Sequence, residues 1–251
     1  MHFLLCLFFF QAATFSELNV SNELVRTLAE LGIRRPTPVQ AACVPQILAG
    51  KDVLGTAETG SGKTLAFALP ILQRLMEDPY GVYALIVTPT RELALQISDQ
   101  LRVLGSNFNI RVSVIIGGVD PLRQAKELSR RPHLVIACPG RLCSLVAALK
   151  TEKYELELAV VFRRAQFLVL DEADRLLDKS FEDDLKLILE FMPKKRQTLL
   201  FSATVTRSLK VLQQLTAQEA FHFESYVGIQ TISRDRLSQQ YVFVPDKVES
   251  A

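Results

Sequence analysis

With 251 residues, 49% of them hydrophobic and 22% charged, the chain can hold one large α/β domain or two small ones and is too apolar for extended disorder. A formal net charge of +2 supplies no strongly basic field, so composition does not point to nucleic acid and any such contact must come from a local groove. The four cysteines, Cys6, Cys43, Cys138 and Cys143, show no paired CxxC spacing and no histidine cluster, so neither a zinc site nor a disulfide frame is suggested and a reducing compartment is implied.

Taken in chain order, Met1 to Phe10 is almost wholly apolar. It has the core of a secretory signal without the positive leader and is too short to span a bilayer. Residues 1–14 are therefore read as an atypical start, with secretion not expected. Beyond them, helical patterns at Asn22–Leu31, Pro38–Leu48, Lys63–Met76, Arg91–Leu104, Pro121–Ser129, Phe181–Phe191 and Arg207–Leu215 alternate with apolar runs. The runs are Asp52–Gly55, Ala84–Thr88, Val112–Ile116, Leu134–Ala137, Phe167–Leu170 and Thr198–Ser202, with a weaker one at Ala220–Phe223. Such alternation predicts an α/β fold with a mainly parallel β-sheet sandwiched by helices. Residues 225–238 are polar and aperiodic and read as a linker. Tyr241–Val244 then begins another strand before the chain stops at Ala251. This predicts a main domain over 15–224, with 225–251 the linker and first strand of a truncated second domain.

Two segments carry the chemistry. In Ala57-Glu58-Thr59-Gly60-Ser61-Gly62-Lys63-Thr64 the glycines let backbone N–H groups approach phosphate oxygens, and the helix from Lys63 adds the positive end of its dipole. Lys63 is the expected contact to the β- and γ-phosphates and Thr64 a ligand of Mg²⁺. Ala57 stands where the general pattern asks for Gly. Far along the chain, Asp171-Glu172-Ala173-Asp174 closes the run Phe167-Leu168-Val169-Leu170, which reads as a strand buried on both faces. Carboxylates at the carboxyl end of such a strand sit where α/β folds bind ligands. Asp171 is the expected Mg²⁺ partner, and Glu172 the base that orients or deprotonates water. The pair of segments predicts a nucleoside triphosphatase.

With these motifs the chain resembles the DEAD-box family of ATP-dependent RNA helicases over about Phe15 to Ala251, which implies a RecA-like P-loop domain followed by the start of a second. Gly32-Ile33-Arg34-Arg35-Pro36-Thr37-Pro38-Val39-Gln40 is similar to the family's Q motif, spanning 15–41 with its upstream aromatic Phe15. The resemblance implies that Gln40 reads adenine, that Thr37 and Arg34 help to hold the nucleotide, and that Phe15 stacks on the base. A Gln amide can donate to N7 and accept from the N6 amino group of adenine; without the resemblance Gln40 would read as an exposed helix residue. Pro89, Thr90 and Arg91 look like the first RNA-contacting motif, and Gly117-Gly118 and Cys138-Pro139-Gly140-Arg141 look like the next two. Strand-end N–H groups, hydroxyls and arginines suit phosphate oxygens, implying RNA partners with little sequence preference. The family usually has Thr at the place of Cys138, and a thiol is a weak donor. Ser202-Ala203-Thr204 resembles the motif linking ATP state to RNA, its hydroxyls expected on Asp174.

The segments 77–81 and 196–204 look most like nucleolar helicases of small-subunit ribosome assembly, implying pre-ribosomal RNA and pre-ribosomal particles as partners, a nuclear and nucleolar location with the cytoplasm as the alternative, and a monomer without membrane or metal-cluster partners. Thr151–Arg164 fits the family less well. Missing second-domain arginines would leave the chain poorly active alone. Two alternatives stand beside the helicase core: a truncated isoform acting as a non-catalytic ATP- and RNA-binding module, and a different P-loop enzyme such as a small-molecule kinase, which would leave Gln40 and Pro89–Leu93 unexplained.

Overall fold

The computed structural model describes residues 14–151, 158–204 and 220–225. The expected helix Arg207–Leu215, the strand Tyr241–Val244, nearly all of the expected linker and all but the last residue of the apolar start lie outside these residues. In chain order the elements are α1 (Asn22–Glu30), α2 (Pro38–Leu48), β1 (Val53–Thr56), α3 (Lys63–Glu77), β2 (Ala84–Val87), α4 (Arg91–Leu104), β3 (Val112–Ile115) and α5 (Pro121–Ser129). They continue with β4 (Leu134–Ala137), α6 (Pro139–Thr151), α7 (Leu158–Phe162), β5 (Phe167–Asp171), α8 (Ala173–Leu176), α9 (Glu182–Phe191), β6 (Gln197–Ser202) and β7 (Phe221–Glu224).

The strands form one seven-stranded sheet in the order β3-β4-β2-β5-β6-β1-β7, parallel at every pairing. Side chains of a strand alternate between its faces, and both faces here are covered. Phe167, Val169, Leu199 and Phe201 pack with residues of α1 to α4 on one side. Leu168, Leu170 and Leu200 pack with Ala125, Leu142, Phe162, Leu185 and Ile188 from α5, α6, α7 and α9 on the other. This explains why the inner strands β2, β4 and β5 are continuous apolar runs, whereas the edge strands β3 and β7 alternate in burial. Among the described residues no helix is long and apolar enough to cross a membrane, and the three described cysteines are free.

Helix starts follow local chemistry. The Ser21 hydroxyl accepts from the Leu24 N–H at 3.5 Å, Thr90 Oγ1 from Leu93 N–H at 3.2 Å, and both Asp120 carboxylate oxygens bond the N–H groups of Leu122 and Arg123 behind Pro121. These are N-caps that satisfy otherwise orphaned donors. The helices α6, α7 and α8 were not legible as separate elements. Within the poorly matching stretch Thr151–Arg164, Val161 and Phe162 of α7 are buried in the second core, so its described end is structural.

Gly55 of β1 faces Phe201 of β6 in register. A Cβ added to Gly55 would lie 2.6 Å from the Phe201 ring, which itself packs on Phe67 of α3 at a centroid distance of 5.4 Å. Gly55→Ala is therefore expected to destabilise the fold by about 1–3 kcal/mol through overpacking. A thermal melt followed by circular dichroism reads this as a lowered Tm; an unchanged Tm would mean that the ring yields freely.

Candidate functional site

The sheet order places the carboxyl ends of β5, β6 and β1 side by side, and the nucleotide motifs are brought together there. Ala57 N–H bonds the Ser202 carbonyl at 3.1 Å, joining the phosphate loop to the end of β6. The Lys63 ammonium turns back into the loop and donates to the carbonyls of Ala57 at 2.5 Å and Glu58 at 2.9 Å. Burial pushes its pKa down, while Asp171, Asp174, Glu172 and Glu58 pull it back up.

Gly62 adopts φ +93°, and a Cβ there would fall 2.3 Å from Gln40 Nε2 and 3.1 Å from Thr37 Oγ1. Only glycine fits this position, in conformation and in space. The Gln40 amide ties two segments together, its Oε1 accepting from Thr37 N–H at 3.0 Å and its Nε2 donating to the Gly62 carbonyl at 3.0 Å. Gln40 is 1% exposed, unlike the exposed helix residue that the bare pattern suggests. The hydroxyls of Thr37 and Ser61 are buried without hydrogen-bond partners in this structure. Orphaned groups of this kind beside a glycine turn suit a polar ligand. Phe15 departs from the expected stacking position. Its ring is 2% exposed, packed in the first core and not on the cleft wall. Arg34, Glu58, Thr59 and Gly60 are exposed, while Thr64 is half-buried.

At the end of β5, Asp171 is 3% exposed and accepts from the Glu172 N–H at 3.1 Å. Burial raises its pKa to about 6, against the lowering effects of that bond and of Lys63. Glu172 sits in the left-handed region at φ 53°, an unusual conformation for a non-glycine residue and typical of strained functional positions. Its carboxylate accepts from Arg175 Nη1 at 2.7 Å, an i,i+3 pair that the motif reading did not include. Thr204 Oγ1 donates to Asp174 Oδ2 at 2.8 Å, realising half of the expected bridge. The Ser202 hydroxyl does not take part; it donates to the Thr204 carbonyl at 2.7 Å and accepts from the Thr204 N–H at 3.2 Å. A tripeptide turn that tight satisfies Ser202 locally and leaves only Thr204 to reach across.

A cleft of about 730 Å³ opens along Gly60, Gly62, Lys63, Thr64, Asp171 and Glu172, and continues over Leu31, Ile33 and the Gln96 and Gln100 face of α4. That extension along α4 was invisible in the motifs.

The other expected residues gather at the ends of β2, β3 and β4. The Arg91 guanidinium lies against the glycine pair, with Nη2 2.7 Å from where a Gly117 Cβ would sit. Arg141 clamps the same loop, its Nε donating to the Ile116 carbonyl at 3.2 Å and its Nη2 to the Val119 carbonyl at 2.8 Å. Gln124 Nε2 adds a bond to the Ile116 carbonyl at 2.9 Å. Pro89 and Thr90 are half-buried, and Thr90 is engaged as the cap of α4; Pro139 is buried and Gly140 exposed. Burial raises the Cys138 thiol pKa, opposed by Arg91 and helped by Glu92, so a protonated thiol stands beside the arginine.

A family model for the DEAD/DEAH box helicase matches residues 37–212. The chain belongs to the DEAD/DEAH box helicase family. It is 53% identical over 232 residues to "DEAD-box ATP-dependent RNA helicase 36" of Arabidopsis thaliana, covering 92% of this chain and 46% of that protein. To "Probable ATP-dependent RNA helicase DDX49" of Mus musculus it is 50% identical, with 95% and 48% covered. "ATP-dependent RNA helicase DBP8" of Meyerozyma guilliermondii is 46% identical, with 95% and 55% covered. The crystal structure of a DEAD box protein from the hyperthermophile Methanococcus jannaschii superposes with a TM-score of 0.75 at 31% identity, covering 85% of this chain and 56% of that one. The chain thus spans about half the length of the relatives it matches, and the RecA-like fold of a DEAD box domain is what it shares with them.

In this DEAD box domain the buried Asp171 yields a prediction about stability. Its pKa rises from 3.8 to about 6, so the fold favours the protonated acid. Its stabilising contribution is complete below the ordinary value, falls as pH rises toward and through 6, and becomes the cost of a buried carboxylate above that. Asp171→Asn should therefore stabilise the nucleotide-free protein at pH 8, by on the order of 3 kcal/mol at most, and so raise its Tm. The advantage should vanish as pH approaches 4. Thermal melts across that range check it; a gain independent of pH would mean that Asp171 is not the titrating group.

Proposed function

We propose that this domain binds ATP together with Mg²⁺ at the 57–64 loop and serves as the nucleotide-driven half of an ATP-dependent RNA helicase. The observation that carries the reading is the convergence of Lys63 with Asp171, Asp174 and Glu172 beside a glycine turn. A buried ammonium facing a carboxylate cluster is matched to a polyphosphate with its divalent ion. Thr64 and Asp171 would hold Mg²⁺. Asp171 suits that role, since its carboxylate is buried with one backbone N–H as hydrogen-bond partner and keeps free lone pairs. When bound, the ion neutralises charge on the phosphate oxygens.

Lys63 leaves its loop carbonyls to meet the phosphates, and N–H groups from Glu58 to Thr64 surround them. Glu172 orients the attacking water once Arg175 releases it. Gln40 reads adenine and, with Thr37, whose hydroxyl has no other partner, favours ATP over GTP; Arg34 lies on the exposed rim of the same segment, and Phe15 supports it from the core beneath. Asp174 and Thr204 couple the nucleotide to the neighbouring strand ends, where Arg91, Arg141 and the Gly117-Gly118 turn receive RNA phosphates. Cys138 offers a weaker donor than a hydroxyl would.

Because the chain spans about half of its relatives' length, unwinding belongs to this proposal only for a protein with both RecA-like domains. In such a two-domain protein the arginines of the second domain would contribute about 10³–10⁵ in rate. Pre-ribosomal RNA in the nucleolus is the substrate and place that the subgroup resemblance supports.

Three variants test the assignment. Lys63→Ala should weaken binding of a fluorescent ATP analogue by about tenfold or more, the loss of a charge-assisted contact, with circular dichroism unchanged. Glu172→Gln should retain the analogue while single-turnover hydrolysis stops. Gln40→Ala should erode discrimination between ATP and GTP in competition binding. Normal analogue binding by the Lys63 variant would sink the phosphate-loop assignment, and unchanged discrimination would remove the adenine role. On the RNA side, Arg91→Ala and Arg141→Ala should each weaken nucleotide-dependent binding by similar factors for RNAs of different sequence.

A further inference from the structure

In a parallel sheet every strand begins at the same pole, so the residues before successive strands stand side by side in sheet order. Opposite the cleft, Arg111 precedes β3, Arg130 and Arg131 precede β4, Arg163 and Arg164 precede β5, and Lys194 and Lys195 precede β6. All seven are exposed. Between β4 and β5 lies β2, which contributes Tyr80. With strands about 4.8 Å apart, the row from β3 to β6 is about 19 Å long.

The row is ordered. The Arg164 guanidinium lies 4.2 Å from the Tyr80 ring centroid, and the Tyr80 hydroxyl donates to the Arg164 carbonyl at 2.9 Å. Arg111 Nη2 donates to the Arg131 carbonyl at 3.2 Å and lies 3.5 Å from His133 Nε2. Among the described residues the ion pairs join other partners, and none of the seven takes part.

Helix carboxyl ends lie at this pole too, and basic residues there can simply complement helix dipoles. That explanation accounts for Arg74, Arg102 and Lys126, which occupy the last turns of α3, α4 and α5. The seven lie beyond the last helical residue. Acidic residues leading into these strands are Glu77, Asp78 and Glu190. Among the described residues these seven bases outnumber the three acids.

We propose that this pole is a second RNA-binding surface, gripping a phosphate backbone without nucleotide and independently of the cleft end. Arginine forks in a row match successive phosphates, and in the middle the exposed Arg164 guanidinium, braced over the Tyr80 ring, supplies a planar cationic face for a base. An acidic peptide would use the charges and leave that face idle. The choice of RNA as ligand rests on the helicase reading; the charged row does not.

The test uses the full chain, a fluorescein-labelled oligouridylate and anisotropy without nucleotide. The variant R111E/R131E/R164E/K195E should bind at least about tenfold more weakly, and its log-affinity against log-salt slope should be shallower by about 3. Its binding of the fluorescent ATP analogue should be unchanged. Arg91→Ala with Arg141→Ala should leave the nucleotide-free component in place, which separates failure of this surface from failure of the cleft assignment. If the quadruple variant misfolds by circular dichroism, R111Q/R164Q should still give about half of the change in slope. Unaltered RNA affinity and slope in the folded variant overturn the proposal, as does a loss seen only with a labelled oligoglutamate peptide.

Discussion

The carboxyl end of this sheet is organised around one buried ammonium. Lys63 would be costly to bury alone, because desolvating a charge is unfavourable unless it is paired or hydrogen-bonded. Two loop carbonyls within 2.9 Å and the field of Asp171, Asp174 and Glu172 compensate it. The compensation is mutual, since Asp171 is buried as deeply and Lys63 is among the influences that keep its pKa from rising further. These residues are more than a hundred positions apart and meet only because β5, β6 and β1 are neighbours. Strand order, more than any single motif, is what makes the site.

The same order divides the sheet between two groups of motifs. The half β5-β6-β1 ends in the phosphate loop, the acidic cluster and Thr204; the half β3-β4-β2 ends in Arg91, the Gly117-Gly118 turn and Arg141. The 2.8 Å bond from Thr204 to Asp174 adds a cross-link between the ends of β6 and β5, inside the nucleotide half. Adjacent parallel strands cannot slide without breaking their ladder, so the two groups of motifs stand on one stiff base. The two poles differ in charge pattern. Acids and bases mix at the cleft, whereas the opposite pole is largely basic.

Much of this was readable in the sequence because the nucleotide motifs are local and their spacing is dictated by strand, loop and helix. The apolar runs at Leu134–Ala137 and Phe167–Leu170 marked buried strands, with boundaries that differ by at most one residue from the observed ones. The helices α6 and α8 were hidden for opposite reasons. α6 is rich in small and apolar residues and shows no sharp stripe, and α8 is a single turn wedged behind a strained Glu172. Side-chain pairings were the least legible. The motifs do not say that Arg175 rather than water holds Glu172, or that Ser202 satisfies itself on Thr204. The basic pole was missed because composition averages it away against the acids elsewhere, and only the sheet order assembles it.

In the proposed reading Gln40 would couple base recognition to the phosphate loop. Its amide already bonds Thr37 and Gly62, so it reads a base either with its remaining proton and lone pair or by giving up a bond to the loop. Each such bond is worth about 0.5–1.5 kcal/mol net, similar to what a base edge returns. An adenine that offers the N7 acceptor and the N6 donor can make that exchange even; a guanine, whose N7 and O6 on the same edge are both acceptors, leaves the amide oxygen facing an acceptor in a buried setting, where an unsatisfied group costs about 1–3 kcal/mol. Under the proposed adenine reading, discrimination would arise from the buried state of Gln40, and its bond to the Gly62 carbonyl would tie the base to the phosphate loop.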